Sequence, residues 1–198
     1  MDQTFQKCAS TFAQAAAQGQ WQSAETAARE LVALQPGNAS LHYNLGLVLR
    51  RLGREMDAAE ALQEALRLDA GHHNARFERG CALLELGDIE AASNCFQTYL
   101  SSCPQDTDAR LNAAHINLRL GALDNAAAHL DKLPEDCGGA HLLRAELSRE
   151  RADIAAMRHH LAEAVRLEPS QKPAALKVVS QGAAGRLPLD SARLFAAT

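Results

Sequence analysis

Apolar and polar positions follow one another with the spacing of amphipathic helices, and the pattern repeats every 34 residues. Four successive repeats have an apolar stretch, then a glycine, then an alanine five residues later. This order predicts a helix, a tight turn and a second helix, because glycine tolerates the positive φ angle that often ends a helix. The glycines that mark the turns are Gly19, Gly53, Gly87 and Gly121.

Small residues also recur inside the predicted first helix of a repeat. Gly46 and Gly80 occupy equivalent places, and we expect them to face Ala58 and Ala92 of the second helix. Two helix backbones can approach closely only where the side chains between them are small. A repeat of this kind cannot bury its apolar face alone, so it must stack on its neighbours.

The repeat resembles the tetratricopeptide repeat (TPR), which is a pair of antiparallel helices in 34 residues. The second repeat carries the resemblance most fully, in Tyr43-Asn44-Leu45-Gly46, Gly53, Ala58, Leu62 and Ala65. The resemblance implies an all-α fold, a right-handed superhelical array of antiparallel helix pairs (an α-solenoid). Residues 1–171 would hold five units, at 5–38, 39–72, 73–106, 107–137 and 138–171. Residues 172–198 continue the frame and are expected to form a degenerate sixth helical pair or C-terminal cap.

Two units depart from the pattern. The fourth is three residues short, and Pro134 and two adjacent glycines follow its second helix. The fifth has Ala152 in place of the turn glycine and Met157 in place of the packing alanine. We therefore expect less regular stacking after residue 133.

Composition agrees with a helical fold. The 198 residues include 40 Ala and 29 Leu, whereas Val, Ile and Thr together number 14. Alanine and leucine favour helices, and a sheet would need more β-branched residues. The length suits one domain or one repeat array.

Charge and sequence ends exclude several classes of function. The net charge is −4 and no segment forms a basic patch, so nucleic acid is not an expected partner. Apolar runs are only a few residues long, and a membrane span needs roughly 20. The N-terminus lacks an apolar signal core, which predicts a cytoplasmic protein.

Cysteine and histidine placement does not indicate a metal site, a cofactor or a catalytic centre. The five cysteines are odd in number and lack C-x-x-C spacing, so we expect reduced thiols. The doublets His72-His73 and His159-His160 point in diverging directions on a helix and are interpreted as solvated. No nucleophile or phosphate-loop motif appears, so the chain is not expected to be an enzyme.

The resemblance implies that one stripe of each first helix lines a concave groove. In units two to four this stripe is largely apolar. Its residues, the predicted groove, are Tyr43, Asn44, Leu47, Arg50, Phe77, Glu78, Cys81, Leu84, Leu111, Asn112, His115, Leu118 and Arg119. In the family, asparagines at the places of Asn44 and Asn112 donate to the backbone of a bound peptide. The basic residues with which some members clamp a terminal carboxylate are missing here.

We therefore predict a non-catalytic scaffold that holds a peptide or helical segment of a partner protein. An apolar groove favours an amphipathic helix or an extended apolar segment. Two alternatives remain open: an N-terminal targeting module of a longer enzyme, such as a transferase, and a secretion chaperone. Self-association through the groove is a further possibility.

Overall fold

The structure is a computed structural model that describes residues 3–180. This part of the chain contains eleven α-helices, one short 3-10 helix and no strand, which confirms the all-α fold class. The described chain divides into two compact units, residues 3–104 and residues 105–180. The exact boundaries of the repeats stay a prediction.

The first compact unit holds three helix pairs. Its helices are α1 (Gln3–Ala17), α2 (Trp21–Leu34), α3 (Ala39–Arg51), α4 (Glu55–Leu68), α5 (His73–Leu86) and α6 (Ile89–Ser102). Within this unit, the main contacts join helices that are neighbours along the chain. Turns of only a few residues join the helices of a pair, so the two run antiparallel.

Glycine sits where paired helices come closest. A Cβ atom on Gly46 would lie 2.6 Å from Cγ of Leu62, and one on Gly80 would lie 3.0 Å from Cε2 of Phe96. The prediction that a small residue is needed here holds, but the predicted neighbour Ala58 is not the nearest. Leu62, one helical turn further along, reaches into the space left by the missing side chain. Both large partners are fully buried.

The turn between the helices of a pair requires a left-handed backbone. The turn glycines all have positive φ angles, 67° at Gly19, 71° at Gly53, 80° at Gly87 and 71° at Gly121. The fifth pair reaches the same conformation at Ala152, with φ 59°. A Cβ atom is disfavoured in this region, so the alanine carries backbone strain.

The second compact unit is less regular. Its described helices are α7 (Thr107–Arg119), α8 (Leu123–Leu130), α9 (Gly138–Glu150), α10 (Ile154–Leu167) and α11 (Lys172–Ser180). Helix α8 has only 8 residues, as the shortened fourth repeat predicts. Residues 131–137, which join α8 to α9, contribute the buried Leu133 to a cluster with Leu130 and Ala140.

Helix α11 covers part of the apolar surface of α9 and α10. Its buried residues Ala175 and Val178 join a cluster with Ala145, Met157 and Leu161. This helix is the first part of the predicted sixth pair. Residues 181–198, which would complete that pair, lie outside the described residues.

Candidate protein-binding groove

The predicted groove residues of the first compact unit lie on α3 and α5. Tyr43, Leu47 and Arg50 follow one another at intervals of four and three residues on α3 and therefore share one face. Phe77, Cys81 and Leu84 follow the same spacing on α5. All six side chains are partly exposed, whereas their neighbours toward the helix pairs, such as Leu45 and Leu83, are buried.

An ion pair joins α3 to α5 across this face. Nη1 of Arg50 donates to the carboxylate of Glu78, and Nε of Arg50 lies 3.3 Å from Glu55. Burial acts to lower the pKa of Arg50, but the hydrogen bond to Glu78 and the nearby Cys81, Glu78 and Glu55 raise it above its ordinary value. The guanidinium therefore stays charged, and the structure brings Arg50 and Glu78 together as one polar element of the predicted groove.

A pocket of about 210 Å³ opens beside this ion pair. It is lined by Leu47, Arg50 and Arg51 of α3 and by Glu78 of α5. Asn44 lies one turn before Leu47 on the same side of the helix. Among the described residues, the side chain of Asn44 makes no hydrogen bond, so its amide has donors and an acceptor to offer.

Two aromatic residues of the predicted groove also touch the interior. The ring of Tyr43 lies 4.8 Å from the ring of His72, and the phenol packs against the cluster of Leu62 and Ala65. Burial, with the nearby carboxylate of Glu78, raises the pKa of Tyr43 above its usual value. Its hydroxyl remains protonated and can donate a hydrogen bond.

The ring of Phe77 meets the buried Phe96 edge-on at 5.6 Å and lies 5.3 Å from Tyr99. Phe77 is therefore anchored in the interior of the first unit by one edge while part of the ring stays exposed. Such an anchored aromatic ring loses little conformational freedom when a partner packs on it.

The remaining predicted groove residues lie on α7 in the second compact unit. Leu111 and Leu118 are partly buried and pack against the cluster of Ala114, Leu130 and Leu133. The other three are partly or fully exposed on the surface of α7: Asn112, His115 and Arg119. Leu111 and Leu118 thus divide their surface between the interior and solvent.

A second pocket, of about 390 Å³, lies between α4 and α5 and was not predicted from the sequence. Its lining is mostly apolar and includes Met56, Leu83 and Leu86. Met56 is 63% exposed and Leu86 43% exposed. Leu86 directly precedes the turn glycine Gly87, and Met56 follows Gly53 by three residues. Two large apolar residues close to the turns of successive repeats were the available signal.

Arg79 lines the same pocket. Its Nε atom is buried and has no hydrogen-bond partner among the described residues, while Nη1 donates to Sγ of Cys95 at 3.4 Å. Burial raises the pKa of the Cys95 thiol, and the nearby Arg79 opposes that rise. The thiol is therefore a weak nucleophile at neutral pH.

The described residues contain neither a candidate metal-binding cluster nor a disulfide. No group of three or more His, Cys, Asp or Glu side chains could hold a metal ion within residues 3–180. This range includes all five cysteines, and none of them forms a disulfide. One interpretation of the histidines was wrong: His160 is not simply solvated but is partly buried and bonded to His141.

None of the described helices is both long and apolar enough to cross a membrane.

Comparison with solved structures shows the same fold. MamA from Desulfovibrio magneticus RS-1 (residues 41 to the end) superposes with a TM-score of 0.80 at 18% identity, over 86% of this chain and 98% of that one. A tetratricopeptide repeat protein from Parabacteroides merdae gives 0.76 at 19% identity, over 96% and 83%. YrrB, described as a TPR protein with an unusual peptide-binding site, gives 0.73 at 17% identity, over 84% and 87%.

Sequence comparison agrees with the fold. No curated protein sequence matches the chain. Two family profiles, both described as tetratricopeptide repeat, match residues 14–73 and residues 57–117, which together make up more than half of the chain. The chain therefore belongs to the tetratricopeptide repeat family.

Proposed function

We propose that this protein is a non-catalytic interaction scaffold that binds a peptide or helical segment of a partner protein along α3 and α5. The TPR fold suggests protein–protein interaction as the general role. The observation that carries this proposal is the pocket lined by Leu47, Arg50, Arg51 and Glu78. Beside it lies the amide of Asn44, which makes no hydrogen bond among the described residues.

The chemistry of this face suits a peptide. The Asn44 amide can both donate to a peptide carbonyl and accept from a peptide N–H. Leu47, Cys81 and Leu84 offer apolar contact, and the half-exposed ring of Phe77 adds an anchored aromatic surface. Arg50 already pairs with Glu55 and Glu78, so it offers no uncompensated charge for a terminal carboxylate. These features support an apolar segment bound through its backbone.

The likeness to YrrB adds support, because that protein is described as having a peptide-binding site. At 17% identity the two proteins share a fold only, so the peptide-binding residues proposed here are taken from the surface of this chain. The groove members on α7, which are Leu111, Asn112, His115, Leu118 and Arg119, are proposed to take part in the same role.

A selection of random peptides displayed on phage, with the full chain as target, tests the proposal. Selected peptides should bind the Asn44→Ala variant about tenfold more weakly, because a hydrogen bond of about 1.4 kcal/mol is lost. Asn94→Ala, which removes an exposed amide on α6, is the matched control and should bind unchanged.

A second pair of variants separates the two faces of the first unit. Leu47→Ser should weaken binding, whereas Leu86→Ser, at the pocket between α4 and α5, should not. The proposal fails if the selected peptides bind Asn44→Ala and Leu47→Ser as tightly as the natural chain. Loss of binding with Leu86→Ser alone would place the binding site at the other pocket.

A further inference from the structure

The connection between α8 and α9 is held by side chains rather than by repeat packing. Helix α8 ends at Leu130, and the chain then crosses residues 131–137 without regular structure. Nη2 of Arg144, on α9, donates to the carbonyl of Leu130 at 3.0 Å and to the carbonyl of Leu133 at 3.2 Å. The side chain of Leu133 is 5% exposed, so this connection contributes to the core of the second unit.

A buried histidine holds the same connection at a third carbonyl. His141 is 3% exposed, and its Nε2 lies 2.9 Å from the carbonyl oxygen of Glu135. A carbonyl oxygen can only accept, so Nε2 must carry the hydrogen. In the neutral ring Nδ1 is then an acceptor, and it faces Nδ1 of His160, on α10, at 3.1 Å.

The two facing nitrogens have room for one hydrogen. With His141 as acceptor, Nδ1 of His160 must be the donor. A proton added to His160 at Nε2 leaves this bond in place. A second proton, added to His141 at Nδ1 while His160 is already charged, removes the acceptor and brings two N–H groups and two positive charges face to face. The observed arrangement is therefore compatible with at most one positive charge on the pair.

The surroundings oppose positive charge on His160. Burial lowers the pKa of His160, and repulsion from His141, His159 and Arg144 lowers it further, while Glu135 acts in the opposite direction. The Glu135 carboxylate is 85% exposed and is paired with Arg144. Glu163, on α10, also faces His141 and His159, and it is bonded to Arg166.

We propose that His141 and His160 form an acid-sensitive latch that fixes residues 131–137 when at most one proton charges the pair and releases them when both rings are charged. The charged His141 ring keeps its Nε2–H, so release requires that repulsion between the two rings moves His141 away from the Glu135 carbonyl, which also loosens the anchor at Leu133. Leu111 and Leu118 of α7 pack against the cluster that contains Leu133, so the latch also supports those two predicted groove residues. This inference holds whether or not α3 and α5 bind a peptide.

Hydrogen exchange of the full chain tests the latch in steps from about pH 7.5 down to about pH 4, because the second proton must add below the ordinary histidine pKa. The test variant is His160→Asn, since Nδ2 of asparagine can replace Nδ1 of histidine as a donor that does not titrate. His159→Asn, at the exposed neighbouring position on α10, is the control. Variants are compared with the natural chain at the same pH, which removes the intrinsic effect of pH on exchange.

Acidification should lower protection of residues 131–141 several-fold more in the natural chain and in His159→Asn than in His160→Asn. An equal loss in all three proteins would overturn the proposal. If residues 131–141 of His160→Asn exchange rapidly throughout the pH range, asparagine has failed to replace the donor. A second measurement then decides whether the latch exists.

Nitrogen-15 NMR of the natural chain supplies that measurement. At neutral pH, His141 should carry its hydrogen on Nε2 and His160 should carry its hydrogen on Nδ1. The two rings should titrate in coupled steps, with the second step accompanied by shifts of backbone amides in residues 131–137. Independent single-step titration of the two rings, or the opposite tautomers, would overturn the latch.

Discussion

Residues 3–104 and residues 105–180 build helix pairs in two different ways. In the first region all six helices have 13 to 15 residues, and every turn within a pair has a glycine. In the second region helix length varies from 8 to 14 residues, and one turn uses Ala152. The buried polar or charged residues of the described chain, Arg110 and His141, both lie in the second region.

The difference shows what replaces repeat packing when a repeat is shortened. At Gly46 in the first region, the two helices of the pair come close together, and the buried side chain of Leu62 fills the space between them without polar groups. Where α8 ends early, Arg144 bonds to the carbonyl oxygens of Leu130 and Leu133, and His141 bonds to that of Glu135. Buried carbonyls need such partners, because an unpaired one costs about 1–3 kcal/mol.

The largest expected effect is overpacking of the first region. Gly46→Leu forces a side chain into the space of Leu62 and should lower the free energy of unfolding by about 3 kcal/mol. Gly37→Ala is the control, since a Cβ atom there meets nothing within 4 Å, and it should change stability by less than about 0.5 kcal/mol. Denaturant unfolding measures both, and equal midpoints would contradict the observed helix contact.

Removal of a polar clamp in the second region should have the next largest effect. Arg144→Ala leaves the carbonyls of Leu130 and Leu133 without their charged donor and should cost about 2 kcal/mol. Exchange of the amides in residues 131–137 should accelerate. Arg158→Ala, at an exposed position on α10, should leave that exchange unchanged. Equal protection in both variants would mean that packing of Leu133 alone holds the connection.

The turns allow a test in the opposite direction. Ala152→Gly removes strain at φ 59° and should stabilise the protein by about 0.5–1 kcal/mol. Gly121→Ala, at φ 71° in the preceding pair, should destabilise it by about 1 kcal/mol. Thermal melting measures the stability of both variants. Shifts of the two melting midpoints in the same direction would argue against a common turn geometry.

The smallest expected effect is a contribution of His129 to the pH dependence of stability. Burial lowers the pKa of His129, and the nearby Arg110 and Lys132 lower it further. The unfolded chain, with an ordinary histidine pKa near 6.5, therefore takes up the proton first as the pH falls. Stability should decrease from about pH 6.5 down through the lower pKa of the folded state and stay constant above that range.

His129→Gln removes this contribution. The variant should lose less stability on acidification than the natural chain, as measured by melting at neutral and acid pH. The same loss in both proteins would assign the pH dependence to other groups, with His160 the first candidate.

Sequence reasoning found the features that the repeat makes periodic. The turn glycines, the small residues at Gly46 and Gly80 and the short fourth pair could all be recognised by comparing one repeat with the next. The nearest partners of the two glycines could not be recognised in this way. The repeat aligns the glycines with Ala58 and Ala92, but the long side chains of Leu62 and Phe96, one helical turn further along, reach back to them.

The polar contacts of the second region were beyond sequence reasoning for a related reason. His141 and His160 are 19 residues apart and occupy no matching places in two repeats. Their contact depends on the path of residues 131–137, which follows no periodic pattern. The predicted groove residues Phe77 and Leu111 were identified by their place in the helical repeat. That place alone does not tell how much of each side chain also touches the interior.

The packing of each helix on its chain neighbours has a consequence for synthesis of the protein. In residues 3–104, every helix finds its main contact in the helix just before or just after it. Contacts so close in sequence form quickly. A nascent chain leaving the ribosome can therefore bury the apolar face of each helix once the next 34-residue repeat has emerged. Little apolar surface should need protection by a chaperone while the rest of the chain is still being made.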